Sequence, residues 1–217
     1  MISHRAARLA LRGKLLTLAV CTTGSTTLEA TATGYARAAG SFLTDGFAVG
    51  AEVAPTGFTQ TATGVITALT ALTMTISGGR TVQAAGAART LSVGLPAMRA
   101  WENVAFTPTA GAPYVTEQYV PGPGKKISLG PLGELEYLPL FAPHVHVPSG
   151  VGPEAGDAYA DALLTLFAPE TSITLANSTL RVRGDVAPYS GQLLQSAPGF
   201  ATIPVNVPLR LRTANAI

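Results

Sequence analysis

The stretch from residue 22 to residue 98 constrains the fold most, because it is rich in Thr, Ala and Gly and holds only six charged residues. Short runs of β-type residues recur along it, separated by Gly, Pro or small residues: 25–31, 52–55, 64–69, 73–77 and 90–93. Leu72, Met74 and Ile76 alternate with polar residues, and threonine suits the outward face of a sheet. The stretch is therefore predicted to form a small all-β sandwich or barrel.

The first twenty residues have an amphipathic pattern. With Ser3 as an N-cap, residues 4–20 are predicted to form a helix. Its apolar face would carry four residues: Ala7, Leu11, Leu15 and Leu18. A secretory or lipoprotein signal is the alternative, because a basic start and an apolar run, residues 15–20, precede Cys21. The helix is favoured, since an apolar signal region usually has roughly 7 to 15 residues.

Beyond residue 99 the chain is richer in aromatic and branched apolar residues, so a different core is expected there. Strands are predicted near 100–107, 113–120, 133–147, 172–183 and 200–213. One helix is predicted over 154–167, because Pro153 suits a first helical position and Pro169 stops the helix. The segment 120–133, which includes Gly130 and Pro131, is predicted to be a long loop or a hairpin tip.

The low charge content limits the class of protein. Charged residues make up 12% of the chain, about half the usual share of roughly 25%. So low a charge content is expected in a membrane protein, in an exported β-protein or in a subunit whose surface is covered by neighbours. No apolar run approaches the roughly 18 residues that a spanning helix needs. The net charge of +2 gives no electrostatic argument for tight nucleic-acid or membrane binding.

No residue pattern predicts catalysis, a cofactor or a metal. His144 and His146 lie two apart in a predicted strand and share a side, but they lack a third ligand nearby. Residues 122–125 lack the spacing of a phosphate-binding loop. Glu134 and Glu136 alternate with apolar residues, as a half-exposed strand does. The chain is therefore not expected to be an enzyme.

When residues 22–98 are set aside, residues 1–21 join 99–217 in an order that resembles the phage tail terminator family. The matching residues follow the opening helix and precede the loop: Trp101, Glu102, Asn103, Val104, Phe106, Pro108, Pro113 and Tyr114. The strand 133–147 then leads through a Pro- and Gly-containing turn into a helix with three further matches: Ala160, Asp161 and Phe167. A strand pair and a closing strand complete the resemblance.

The resemblance implies a discontinuous domain, residues 1–21 and 99–217, with residues 22–98 inserted as the all-β domain. Its fold class would be α+β, a mixed or antiparallel sheet packed by helices. The family implies a homohexameric ring that caps the tail tube, ends tail polymerisation and joins the head-completion or neck protein. Genomic DNA would pass through the lumen without sequence-specific binding, and the protein would reside in the virion after assembly in the host cytoplasm. Another phage neck or tail-tube subunit, and an exported β-rich lipoprotein or binding module, are the alternatives.

The same resemblance suggests roles for individual residues. Three aromatic residues are expected to be core or interface anchors: Trp101, Phe106 and Tyr114. Four basic residues are expected at the lumen or at an axial contact: Lys125, Lys126, Arg181 and Arg183.

Overall fold

The computed structural model describes residues 4–102, 104–129, 133–175 and 178–213. Predictions that involve Ser3, Asn103, Gly130 and Pro131 lie outside these residues. The first half of the chain contains α1 (His4–Leu15), β1 (Ala19–Thr22), β2 (Thr26–Thr31), β3 (Gly34–Arg37), β4 (Glu52–Thr56), β5 (Gly64–Leu69), β6 (Thr73–Ile76) and β7 (Gln83–Gly94). The second half contains β8 (Met98–Ala100), β9 (Tyr114–Val120), β10 (Gly124–Lys126), β11 (Leu135–Tyr137), β12 (Leu140–Pro148), α2 (Glu154–Leu166), β13 (Ser172–Leu175), β14 (Ser178–Val182), β15 (Tyr189–Ser190), β16 (Leu194–Ala197) and β17 (Phe200–Thr213).

The prediction of an α+β fold with a helix-packed sheet is wrong. Strands account for 46% of the structure and helices for 12%, and six strands close into a barrel. Within the described residues α1 and α2 are the only helices, and the remaining segments pair with distant strands, so β structure outweighs helix. Segments 121–134 and 183–199, which are rich in Gly and Pro, contribute the short strands β10, β15 and β16 to the sheet.

The barrel forms because the long strand β7 pairs with both β2 and β4, which joins the two ends of the series β2-β3-β6-β5-β4. The strand β1 pairs with β7 outside this ring. Leu28, Tyr35 and Met74 fill the interior, each at most 2% exposed. Leu72, which was predicted to face this core, is 44% exposed because it lies in the turn before β6.

The outward surface of the barrel carries Thr, Ala, Gly and Ser, and each of its six charged residues is buried or half-buried. Arg89 donates from Nη1 to the carbonyl oxygens of Leu28 and Ala84, both at 2.6 Å. Arg37 pairs with Asp45 at 2.5 Å. Arg37, Asp45 and Arg89 therefore have polar partners within the barrel.

The strand β17 is the centre of a second, ten-stranded sheet. It pairs with β11 and β12 along one edge and with β14, β15 and β16 along the other, all antiparallel. Four of its apolar side chains are fully buried: Val205, Val207, Leu209 and Leu211. Both helices bury residues in the same core, including Leu11 and Leu15 of α1 and Tyr159 and Leu163 of α2.

The barrel rests directly on α2. The backbone nitrogen of Glu52 donates to the Tyr159 hydroxyl at 3.3 Å, and one apolar cluster runs from the barrel interior into the body. Gly50 lies against Val151 at this joint with φ of +91°. A Cβ on Gly50 would stand 2.7 Å from Cγ2 of Val151. The division at residues 22 and 98 stays a prediction.

Gly50→Ala is expected to lower the free energy of unfolding by about 2 to 4 kcal/mol. Left-handed backbone costs an alanine about 1 to 2 kcal/mol, and overpacking against Val151 adds about 1 to 3 kcal/mol. Urea denaturation measures the loss. Gly78→Ala is the matched control, because Gly78 has φ of +82° but open space around its Cβ position. Equal losses in the two variants would contradict a tight joint between barrel and body.

Candidate assembly surfaces

A group of basic side chains lies at one end of the outer side of the ten-stranded sheet. Because Leu209 and Leu211 point into the core, the alternation of β17 places Arg210 and Arg212 on the opposite side. Arg210 is paired in register with Arg181 of β14, and Arg212 with both Thr179 of β14 and Glu136 of β11. We call this end of the outer side the arginine face; its basic residues are Lys125, Arg181, Arg183, Arg210 and Arg212.

Glu136 organises one half of the arginine face. Its carboxylate is 5% exposed. Three cations surround it: Lys125 Nζ at 3.2 Å, Arg212 Nε at 3.1 Å and Arg210 Nε at 3.3 Å. Burial alone would raise the pKa of this carboxyl, but the hydrogen bonds from Arg212 and Lys125 and the charges of Lys125 and Arg210 lower it below its ordinary value. Glu136 is therefore an ionised bridge between three strands.

Two further carboxylates pair with the other half of the face. Arg183 holds Asp185 with both nitrogens of its fork, Nε at 3.0 Å and Nη2 at 2.5 Å. These hydrogen bonds lower the pKa of the exposed Asp185 to about 2. Arg181 reaches Glu170 at 3.2 Å. Each of these arginines therefore has a carboxylate partner within the chain.

An open cleft lies on the arginine face, lined by Thr179, Arg181, Arg210 and Arg212. All four side chains can donate hydrogen bonds, and the three guanidinium groups are permanently charged. Chemically, the cleft suits an anion with several acceptor oxygens.

The model of the family described as "Phage tail terminator protein" matches residues 81–209, more than half of the chain. The chain belongs to the phage tail terminator family. A solved structure that is similar has 22% sequence identity, covers 54% of this chain and 79% of its own, and has a TM-score of 0.43. The comparison with curated proteins finds no match. The family is a structural one of the phage tail, and it locates the chain in the virion tail.

The family match extends from the start of β7 to Leu209 in β17, so it includes Lys125, Arg181 and Arg183 and ends before Arg210 and Arg212. Of the basic positions predicted from the sequence, Lys125, Arg181 and Arg183 lie on this face. Lys126 does not, because it pairs with Leu135 and alternates to the other side of the ribbon. Sequence reasoning missed Arg210 and Arg212, although the repeat Leu209 to Arg212 of apolar and basic residues was a signal for them. The assembly roles of all these residues stay predictions.

Among the predicted aromatic anchors, Trp101 is half-buried against the core. The Arg12 guanidinium lies 4.9 Å from the centroid of its ring, and Arg12 Nε also donates to Glu117 at 2.6 Å. Trp101 thus helps to attach α1 to the strand β9. Phe106 is half-buried, with its ring centroid 5.2 Å from that of Tyr114.

The third anchor, Tyr114, stacks on His146 with ring centroids 4.1 Å apart and planes within 3°. His146 is 8% exposed. Its Nε2 lies 3.1 Å from the Thr116 hydroxyl and its Nδ1 lies 2.7 Å from the Thr202 hydroxyl. Burial, together with the neighbouring His144, lowers the pKa of His146 to about 4. This histidine is a neutral core residue.

Two classes of function receive no support from the described part of the chain. Within residues 4–102, 104–129, 133–175 and 178–213, no group of three or more His, Cys, Asp or Glu side chains is placed to hold a metal ion. No helix in the same residues is long and apolar enough to cross a membrane.

Large apolar side chains remain exposed at several places in the described residues, and three groups of them lie near the body of the protein. Leu9 and Leu16 are on or next to α1, at 54% and 50% exposure. Ile127 and Leu129 lie beyond β10, and Leu129 is fully exposed. A third group lies around β15 and β16: Val186, Tyr189, Leu193 and Leu194. Tyr189 pairs with Asn206 and therefore lies on the same side of the sheet as Arg210 and Arg212, but the cleft itself is lined by polar side chains.

Trp101→Ala is expected to lower the free energy of unfolding by about 1 to 3 kcal/mol. Truncating a fully buried aromatic costs about 3 to 5 kcal/mol, and this ring is only half-buried; loss of the Arg12 contact adds about 0.5 to 1 kcal/mol. Thermal unfolding followed by circular dichroism measures the change. Trp101→Phe keeps a ring under Arg12 and should retain most of the stability. An unchanged melting temperature for Trp101→Ala would contradict the anchor role.

Stability is expected to fall as the pH decreases from about 6.5, the ordinary pKa of histidine, to about 4, the value in the fold. Below pH 6.5 His146 is protonated in the unfolded chain but stays neutral in the folded chain. The free energy of unfolding therefore falls by about 3 kcal/mol across this window. Denaturation at a series of pH values measures the slope. His146→Gln should be less stable at pH 7 and show a shallower slope. An unchanged slope in His146→Gln would assign the pH dependence to other groups.

Proposed function

We propose that the chain forms a homohexameric ring that caps the tail tube, ends tail polymerisation and joins the tail to the head-completion or neck protein. The observation that carries this proposal is the family match over residues 81–209. The tail-tube protein and the head-completion protein would be its axial partners. Assembly would take place in the host cytoplasm before the ring becomes part of the virion.

The distribution of charge supports a subunit with covered sides. A cyclic ring joins one patch of each subunit to a different patch of its neighbour, and interface centres are depleted in charge. The exposed apolar side chains near α1, such as Leu9, and those near β15 and β16, such as Leu193, supply two separate groups of apolar contact residues, the first of them among the basic residues of α1. The arginine face stands apart from both patches and suits the lumen or an axial contact.

The exported-lipoprotein alternative conflicts with the packing of α1. Cleavage before Cys21 would remove Ala7, Leu11 and Leu15, which are each 0% exposed in the core that α1 shares with the sheet. Loss of three buried apolar side chains would uncover the core. Intact mass measurement of the protein from its host tests this point, because a cleaved or lipidated Cys21 would contradict the assembly of α1 into the fold.

The decisive experiment is electron microscopy of phage particles that lack the chain. If the chain ends tail polymerisation, these particles should have tails of abnormal length. If it also joins the tail to the head, heads without tails should be seen. Expression of the wild-type chain from a plasmid should restore uniform tails. Native mass spectrometry of the purified chain, alone and with tube protein, measures the number of subunits in the ring.

Another neck or tube subunit is the second candidate, since such proteins share the same need for covered sides. Tails of normal length on particles that lack the chain would refute termination. Uniform tails that fail to attach to heads would instead assign the chain to the joint alone, and an absence of any tube would assign it to the tube.

A further inference from the structure

We infer that the cleft lined by Thr179, Arg181, Arg210 and Arg212 binds the phosphate groups of duplex DNA, and that Glu136 and Glu170 keep this binding weak. The meaning of the contact rests on the proposed function, in which the genome passes through the ring. The binding itself is a property of the arginine face and is measurable on the purified chain.

The register of β14 and β17 brings the donors together. Arg181 is opposite Arg210, and Thr179 is opposite Arg212. Paired residues of antiparallel strands have Cα atoms about 4.5 to 5.5 Å apart, and Arg210 and Arg212 are separated by about 7 Å along the strand. Three guanidinium forks and one hydroxyl therefore converge on a region the size of one or two phosphate groups, whose oxygens they can contact in pairs.

The polar character of the face favours DNA over an acidic protein. The neighbouring outward residues of the paired strands are Ser172 and Thr174 on β13 and Lys125 on β10, all exposed. A stable protein interface needs an apolar or aromatic centre, and these positions next to the cleft supply none; Tyr189, an exposed aromatic on the same side, lies opposite Asn206, four residues along β17 from Arg210. A flat row of donors without an apolar anchor instead matches a repeating polyanion that is contacted through its backbone, independently of sequence.

The carboxylates of the chain compete with the phosphates for the same cations. Glu136 is shared by Arg210, Arg212 and Lys125, and Glu170 is paired with Arg181. A phosphate that enters the cleft must weaken these pairs before it gains the guanidinium groups. The face therefore attracts DNA without holding it firmly, which suits a channel through which DNA moves.

The test is the binding of a fluorescent duplex of about 30 base pairs to the full chain, followed by anisotropy over a range of salt concentrations. Wild type is expected in the nonspecific range, with a dissociation constant of about 10⁻⁴ to 10⁻⁶ M. Arg210→Gln with Arg212→Gln should lower the affinity at least about 10-fold at low salt and reduce the salt slope by about 2. Arg5→Gln with Lys14→Gln is the matched control; it removes the same charge from α1, behind the sheet, and should change affinity little.

Variants of the carboxylates should act in the opposite direction. Glu136→Gln removes the shared carboxylate of Lys125, Arg210 and Arg212, although Arg210 keeps a second partner, Asp185, at 3.7 Å. Glu170→Gln removes the carboxylate partner of Arg181. Each variant is expected to raise DNA affinity about 3- to 10-fold, because one competing charge is lost. Glu170 is exposed, with 60% of its side chain accessible, so its variant keeps the test intact if Glu136→Gln does not fold. Asp157→Asn on α2 is the charge-matched control and should leave affinity unchanged.

Several results would overturn the inference. Equal losses in the arginine pair and the α1 pair would show only general charge attraction. Absence of DNA binding at low salt would refute the cleft as a phosphate site. Carboxylate variants that bind DNA no better than wild type would refute the role of Glu136 and Glu170 in weakening the binding. If the variant with Arg210→Gln and Arg212→Gln lost binding to purified tube protein but kept its DNA affinity, the arginine face would be assigned to an axial protein contact. Tail length separates the two proposals: normal termination by a variant that has lost DNA binding leaves the ring function standing, and failed termination with intact DNA binding leaves the cleft standing.

Discussion

The pairing of β17 along both of its edges is the constraint on which the body of the protein depends. Five strands take their register from it, while its side chains alternate between a fully buried row and an outward row that includes Arg210 and Arg212. A slip of one residue would carry these arginines into the core and the leucines into solvent. Packing therefore fixes the position of the arginine face, and the ion pairs of Glu136 bind three strands together on its outer side.

The barrel contacts the body at the helix α2 and at the turn before it. The buried Tyr159 contributes to the core of the sheet and also meets the backbone of Glu52 in the barrel. Gly50 allows the two units to approach so closely, because any side chain there would strike Val151. The charged residues of the barrel are buried or half-buried, whereas five basic residues of the ten-stranded sheet share the arginine face. One chain thus presents a surface of small, uncharged side chains on the barrel and a basic surface on the ten-stranded sheet.

Local patterns predicted the elements whose signal is contained in a short window. Both helices occur where amphipathic period and helix-stopping residues indicated them, with α1 shorter than expected, and the β character of residues 22–98 was recognisable from threonine and alternation. The overall class was mistaken because short strands such as β10 and β15 form only when a distant partner supplies their hydrogen bonds. Three basic residues of the arginine face were predicted and Arg210 and Arg212 were missed for the same reason. The sequence does not show that Arg181 and Arg210, 29 positions apart, are neighbours.

The position of β17 in the chain sets an order of events during synthesis. The six barrel strands lie within residues 26–94 and pair only among themselves and with β1, so they can close while the ribosome is still making the body. The ten-stranded sheet cannot be completed before β17 is synthesised, because β11, β12, β14, β15 and β16 all pair with it. Until it emerges, the apolar face of α1 has no complete surface to cover it. The barrel, complete and free of exposed charged residues, is then the first folded part of the nascent chain.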